Sequence, residues 1–118
     1  MDAVSQATFA TEVVEASRLR PVLVDVWEPR CEPCRELMPW VERLAAELHP
    51  AAHIVSLDTS RNRPLGRQLG LSHPPAFLLY RDGHEVQRLT GDDCTSRGVL
   101  GLLQTHVRSA ALTAGITD

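Results

Sequence analysis

The sequence predicts an α/β domain with a mixed central β-sheet flanked by helices on both faces, and three observations carry that prediction. Two β-branched runs, "VLVDVW" at 22–27 and "HIVSLD" at 53–58, are separated by a long amphipathic pattern, the strand–helix–strand order that builds parallel sheets. A later stretch, "AFLLYRDGHEVQRL", reads as two strands joined by an Asp-Gly reversal, which adds an antiparallel pair. At 118 residues with 43% hydrophobic residues, the chain suits one domain, taken as residues 1–118, around one core.

The elements follow in order. Phe9, Val13 and Val14 are spaced like one face of a short helix over 8–18, ended by Pro21. "VLVDVW" is apolar almost throughout, as expected of a strand covered on both faces, with Asp25 the exception. Leu37, Trp40, Val41, Leu44, Ala45 and Leu48 recur at three- and four-residue steps and mark a long helix. Pro39 lies inside it, where it removes a backbone donor and is expected to kink the first turns. "HIVSLD" is the second strand, and "RPLGRQLG" (63–70) a short helix stopped by Gly70. "AFLLY" and "HEVQRL" form the hairpin, and Thr95 or Ser96 caps a last helix that uses Val99, Leu100, Leu103 and Val107.

Composition narrows the function. A formal net charge of -3 and the lack of a visible basic patch give no reason to expect nucleic acid or an anionic membrane as partner. The longest apolar run, "PVLVDV", is far shorter than the roughly 18 residues of a membrane span, so a soluble protein is expected. The N-terminus begins with an acid and has no basic leader pattern, so it does not read as a secretory signal. Three cysteines cannot build a multi-bridge framework, and a reducing, cytoplasmic compartment is the expectation.

Two of those cysteines stand three apart in "WEPRCEPCRELMPW", where the first strand gives way to the long helix. Open α/β sheets place their chemistry at such carboxyl ends. Cys31 falls at or just before the first helical turn, where unpaired backbone N–H groups and the helix dipole favour a thiolate. A structural staple is disfavoured by the compartment and a metal site by the lack of a second Cys pair, although His73 offers a further ligand. Cys94, in "GDDCTS", has two acids before it and reads as an idle loop thiol; His49, His53, His84 and His106 are scattered.

From about Phe9 to about Val107 the chain resembles the thioredoxin family. "PVLVDVWEPRCEPCRELMP" is similar to that family's buried-acid strand, aromatic turn, Cys-X-X-Cys and helix proline, and "PPAFLLYRDGHEVQRLTG" to its cis-proline, hairpin and terminal glycine. The resemblance implies a thioredoxin-like fold and a dithiol–disulfide oxidoreductase, expected to act as a reductant, that needs no bound cofactor. It assigns Cys31 as attacking thiolate, Cys34 as resolving thiol, Asp25 as the buried acid and Pro75 as the cis-proline facing them. Trp27, Arg30, Glu32, Pro33, Pro74, Pro75 and Gly91 are the expected substrate surface. The implied partners are a disulfide-containing protein substrate and a flavoprotein disulfide reductase as electron donor. Burial raises a carboxyl pKa, which makes Asp25 a candidate acceptor for the Cys34 proton.

Three positions depart from the family pattern. Arg30 and Glu32 replace an exposed aromatic and a glycine around the cysteines, with opposing effects on a thiolate that are each about 1 kcal/mol or less. Pro74 precedes the cis-proline, where the family's backbone pairs with an extended substrate, and proline has no N–H to donate. Ser56 stands in place of a lysine near the acid, so Asp25 is expected to keep its proton to higher pH. The competing reading is a binding or chaperone module on the same fold with a vestigial or regulatory Cys pair, against which count both cysteines and Asp25. A metal or iron–sulfur carrier is the third.

Overall fold

In the computed structural model, which describes residues 1–110 and 112, five strands form one mixed sheet. They are β1 (Asp2–Val4), β2 (Val22–Trp27), β3 (His53–Asp58), β4 (Ala76–Arg81) and β5 (His84–Thr90), standing side by side in the order β1-β3-β2-β4-β5. β1 and β2 run parallel to β3, while β4 is antiparallel to both β2 and β5. The helices are α1 (Glu32–Leu48), α2 (Arg63–Gln68) and α3 (Ser96–His106).

Alternation along the central strands sorts the core into two layers. Leu23, Phe77 and Leu79 point toward α1 and α3 and pack on Trp40, Val41, Leu44, Leu48, Val99 and Leu103. Val22, Val24, Val26, Leu57 and Leu78 point the other way, onto Phe9, Val13 and Leu65. The sheet is therefore covered on both faces, which is why β2 is apolar at five of its six positions, all of them but Asp25.

The first 21 residues differ from the periodic reading. β1 is three residues long, too short to show a pattern, and it exists because Val4 is buried where it pairs with Leu57. The expected helix over 8–18 is instead a wide π-type turn at Ala10–Glu15 followed by a tight 3₁₀ turn at Ala16–Arg18. Tertiary contacts set that shape. Phe9 meets Tyr80 edge to face at 5.6 Å, and buried Ser17 is tied to the β4–β5 turn. Its Oγ accepts from Gly83 N–H at 2.9 Å and its carbonyl accepts from Asp82 N–H at 2.9 Å.

The remaining elements fall close to the expected places. Asp82 and Gly83 both have positive φ, 53° and 86°, as a two-residue reversal that matches strand twist requires. α2 closes at Gly70, φ 72°, where the Gly70 and Leu71 N–H groups bond back to Arg67 and Gly66. α1 runs unbroken through Pro39, which is exposed, as is Arg35, whose carbonyl loses its helical donor. A cis bond joins His49 to Pro50 in the α1–β3 connection. Of the two candidates it is Thr95 that caps α3, its Oγ1 accepting from Gly98 N–H at 3.0 Å. Of the span 1–118 read as one domain, residues 111 and 113–118 lie outside the described residues.

Two glycines of α3 yield opposite expectations. A Cβ at Gly98 would collide with the Asp93 carbonyl oxygen, whereas one at Gly101 meets nothing within 4 Å. Gly98→Ala is expected to destabilise by roughly 1–3 kcal/mol despite alanine's better helix propensity. Gly101→Ala is expected to stabilise by about 0.4–1 kcal/mol. Urea denaturation of the two variants checks both signs.

Candidate active site

Helix α1 begins with a sulfur atom as its cap. Cys31 has extended backbone, φ -80° and ψ 101°, and its Sγ accepts a hydrogen bond from Cys34 N–H at 3.2 Å, one of the donors that a helix start leaves unpaired. Glu32 and Pro33 occupy the first helical positions, where a missing proline N–H costs nothing. The three-residue step carries Cys34 Sγ to Cys31 Sγ, and the two are joined as a disulfide with an S–S distance of 2.05 Å and Cα atoms 5.3 Å apart. Cys31 is partly exposed and Cys34 only 3% exposed, so one sulfur meets solvent while the other faces inward. Arg35 Nη1 donates to the Pro29 carbonyl at 2.9 Å and ties the helix to the loop before it, while Arg30, Glu32 and Pro33 are exposed around the bond.

Asp25 is buried at 3% exposure on the α1/α3 side of β2, with Ser56 of β3 and Phe77 of β4 as its cross-strand neighbours. Among the described residues its carboxylate accepts no hydrogen bond and pairs with no cation. Burial alone raises its pKa from 3.8 to about 7. Ser56, itself buried, supplies no charge to oppose that shift.

Cys94 lies in the loop between the Gly91–Asp93 turn and α3, as expected, but it is half-buried there. It packs against the α1/α3 core near Asp25, and its pKa is pushed up to about 11, first by burial and then by the negative charges of Asp25 and Asp93. A backbone hydrogen bond from Phe77 opposes the shift only in part. Nothing in "GDDCTS" announced this neighbourhood, because it arises when the turn after β5 folds back over β4.

Strand register gathers the other predicted residues at one end of the sheet. Val26 pairs with Ala76, and Ala76 with Thr90, so Trp27, Pro75 and Gly91 flank the same end from which the Cys31 loop departs. The Pro74–Pro75 bond is cis, and Gly91, φ 58°, opens the short turn Gly91–Asp93 that leads to Cys94. Trp27 is half-buried and shares a cleft of about 420 Å³ with Arg35, Pro39, Glu42 and Ser56. Beyond Pro74, on the α2 side, lies a second groove of about 180 Å³ that includes Arg63, Arg67 and His73. The two arginines went unnoticed in the sequence because "RPLGRQLG" reads only as a short helix. Among the described residues no group of three or more His, Cys, Asp or Glu side chains is arranged to hold a metal ion. No helix among them is long and apolar enough to cross a membrane.

Comparison with known proteins agrees with the geometry. Residues 1–99 match the family model described as thioredoxin. Over 89 residues, 75% of this chain and 81% of the relative, the sequence is 37% identical to thioredoxin 1 of Synechococcus elongatus. Over 88 residues, 75% of this chain and 74% of the relative, it is 34% identical to thioredoxin of Mycobacterium tuberculosis. Among solved structures, Fasciola hepatica thioredoxin aligns with a TM-score of 0.80 at 25% identity, covering 90% of this chain and 99% of that one. Chlamydomonas reinhardtii thioredoxin f2 aligns with a TM-score of 0.81 at 25% identity, covering 90% and 95%.

The buried carboxyl makes stability depend on pH with a definite sign. Below about pH 3.8 Asp25 holds its proton in the folded and the unfolded chain alike, and it carries no penalty. As pH rises, the unfolded chain releases that proton first, and the penalty to folding grows until the folded pKa of about 7 is passed. The stability of Asp25→Asn relative to wild type is therefore expected to increase by on the order of 4 kcal/mol across that window. Urea denaturation of the oxidised proteins at several pH values checks the sign; a difference independent of pH contradicts the raised pKa.

Proposed function

The chain belongs to the thioredoxin family of thiol–disulfide oxidoreductases, and from that premise we propose that it reduces protein disulfides with Cys31 as the attacking thiolate and Cys34 as the resolving thiol. The observation that carries this reading is the Cys31 cap. The Cys34 N–H that meets Cys31 Sγ in the disulfide is placed to meet the same sulfur as a thiolate, and the helix dipole favours the charge there.

In the reduced protein, Cys31 thiolate attacks one sulfur of the substrate disulfide; a mixed disulfide forms, and the other substrate sulfur leaves as a thiolate that takes a proton from solvent. Cys34 then gives its proton to Asp25 and attacks Cys31 Sγ, closing the Cys31–Cys34 bond and expelling the second substrate thiolate. Asp25 then yields that proton to solvent, from which the second substrate thiolate takes one, so that two electrons pass to the substrate and two protons end on its sulfurs. Asp25 suits the acceptor role because a base with a pKa of about 7 is half ionised near neutral pH, where it both holds and releases a proton readily. Trp27, Arg30, Glu32, Pro33, Pro74, Pro75 and Gly91 form the surface against which the substrate lies. The proposed setting is the reducing cytoplasm, with residues 1–118 acting as one domain and a flavoprotein disulfide reductase returning the electrons.

Turnover of a protein disulfide tests the assignment. Cys31→Ser is expected to abolish it. Cys34→Ser is expected to accumulate about one equivalent of mixed disulfide with the substrate, because attack remains and resolution does not. Resolution by the wild type is expected to quicken as pH rises through about 7, when Asp25 loses its proton, and Asp25→Asn to be slower on the order of a hundredfold with that inflection gone. Undiminished turnover by Cys31→Ser overturns the reading.

A further inference from the structure

We propose that the groove between α2 and the 71–74 loop docks an acidic segment of the protein whose disulfide is reduced; this deepens the oxidoreductase reading by naming what its substrate carries beside the reactive cysteine. Arg63, Arg67 and His73 line the groove with Glu28, Thr59 and Pro74. Both arginines and His73 are exposed, and among the described residues none of the three makes a side-chain hydrogen bond or ion pair. Elsewhere arginines that lie beside carboxylates engage them, as Arg88 holds Glu85 at 2.6 Å and Arg61 faces Asp58 at 3.8 Å. The single carboxylate in the groove, Glu28, accepts from Thr59 Oγ1 at 2.7 Å and makes no ion pair with either arginine among the described residues. Two guanidinium groups are thus left facing open space, against the overall negative balance of the chain.

Position gives this charge its meaning. The Val26–Ala76 pairing sets Pro74 at the sheet end from which the Cys31 loop departs, and Val26 and Pro74 are both walls of the groove. Substrate backbone that reaches Cys31 across the 74–75 loop must run past its mouth. Pro74 has no N–H, so a paired extended segment forgoes one backbone hydrogen bond at that residue. Side-chain contacts next door are what remain to set its register. The chain contains no lysine, and arginine's planar fork meets a carboxylate through two parallel hydrogen bonds, which favours Asp and Glu over a diffuse negative surface.

The test compares two peptides that carry the same mixed disulfide with a neutral thiol, one flanked on both sides by Asp and Glu and the other by Lys. Wild type is expected to reduce the acidic peptide with a kcat/KM roughly fivefold or more above the basic one at low ionic strength, a preference that shrinks in about 0.5 M salt. The Arg63→Gln/Arg67→Gln double variant is expected to lose the preference and Arg63→Lys/Arg67→Lys to keep part of it, while all three reduce uncharged hydroxyethyl disulfide at equal rates. Equal rates on the two peptides with wild type, or a preference that survives the glutamine substitutions, overturns the proposal while leaving the redox chemistry intact. Failure of wild type to reduce hydroxyethyl disulfide strikes the oxidoreductase reading instead. Equilibrium binding of a labelled acidic peptide to wild type and to the glutamine variant then decides the groove on its own.

Discussion

The hydrogen bond from Cys34 N–H to Cys31 Sγ is the contact on which the site depends. It requires Cys31 to hold an extended backbone while Cys34 is already helical, and that single change of conformation produces the asymmetry between the two sulfurs. One is presented to solvent at the positive end of α1, and the other is drawn under the first turn. The rest of the fold holds this junction in place. β2 aims the chain at it from the sheet centre, and Arg35 pins the helix back to Pro29. The sulfur that caps the helix is thus part of the fold at the same point where the proposed chemistry starts.

Much of this was legible in the residues. Continuous apolar runs marked β2, β3 and β4 because the sheet is covered on both faces, period-3.6 stripes marked α1 and α3, and the Asp-Gly reversal, with its two residues of positive φ, placed β5. The Cys pair, Asp25, the cis-proline and Gly91 were recognisable as a set because their separations match a known family. What escaped has a common physical cause: it depends on contacts distant in the chain. β1 is too short to carry a period, and the turns at 10–18 are shaped by Ser17 reaching the hairpin some 66 residues away. Arg63 and Arg67 look like ordinary solvated residues of a short helix until the 71–74 loop closes a groove beside them.

The departures from the family pattern act on different parts of the chemistry. Ser56 leaves the Asp25 carboxylate without a nearby cation, so its proton affinity is set by burial alone, near the middle of the physiological range. Pro74 removes a backbone N–H next to the cis bond, a donor that an extended chain lying there would otherwise meet. Arg30 and Glu32 sit exposed on either side of Cys31, where solvent screens the charge of both.

A domain that trades disulfides for a living runs the risk of trading them with itself. Cys94 is the only other sulfur of its kind in the chain, and the same wall of apolar residues that shelters Asp25 denies it a counter-charge. A thiol whose pKa is pushed up to about 11 offers almost no nucleophile in neutral solution, so its burial, with the negative charges beside it, shields the Cys31–Cys34 bond from internal scrambling.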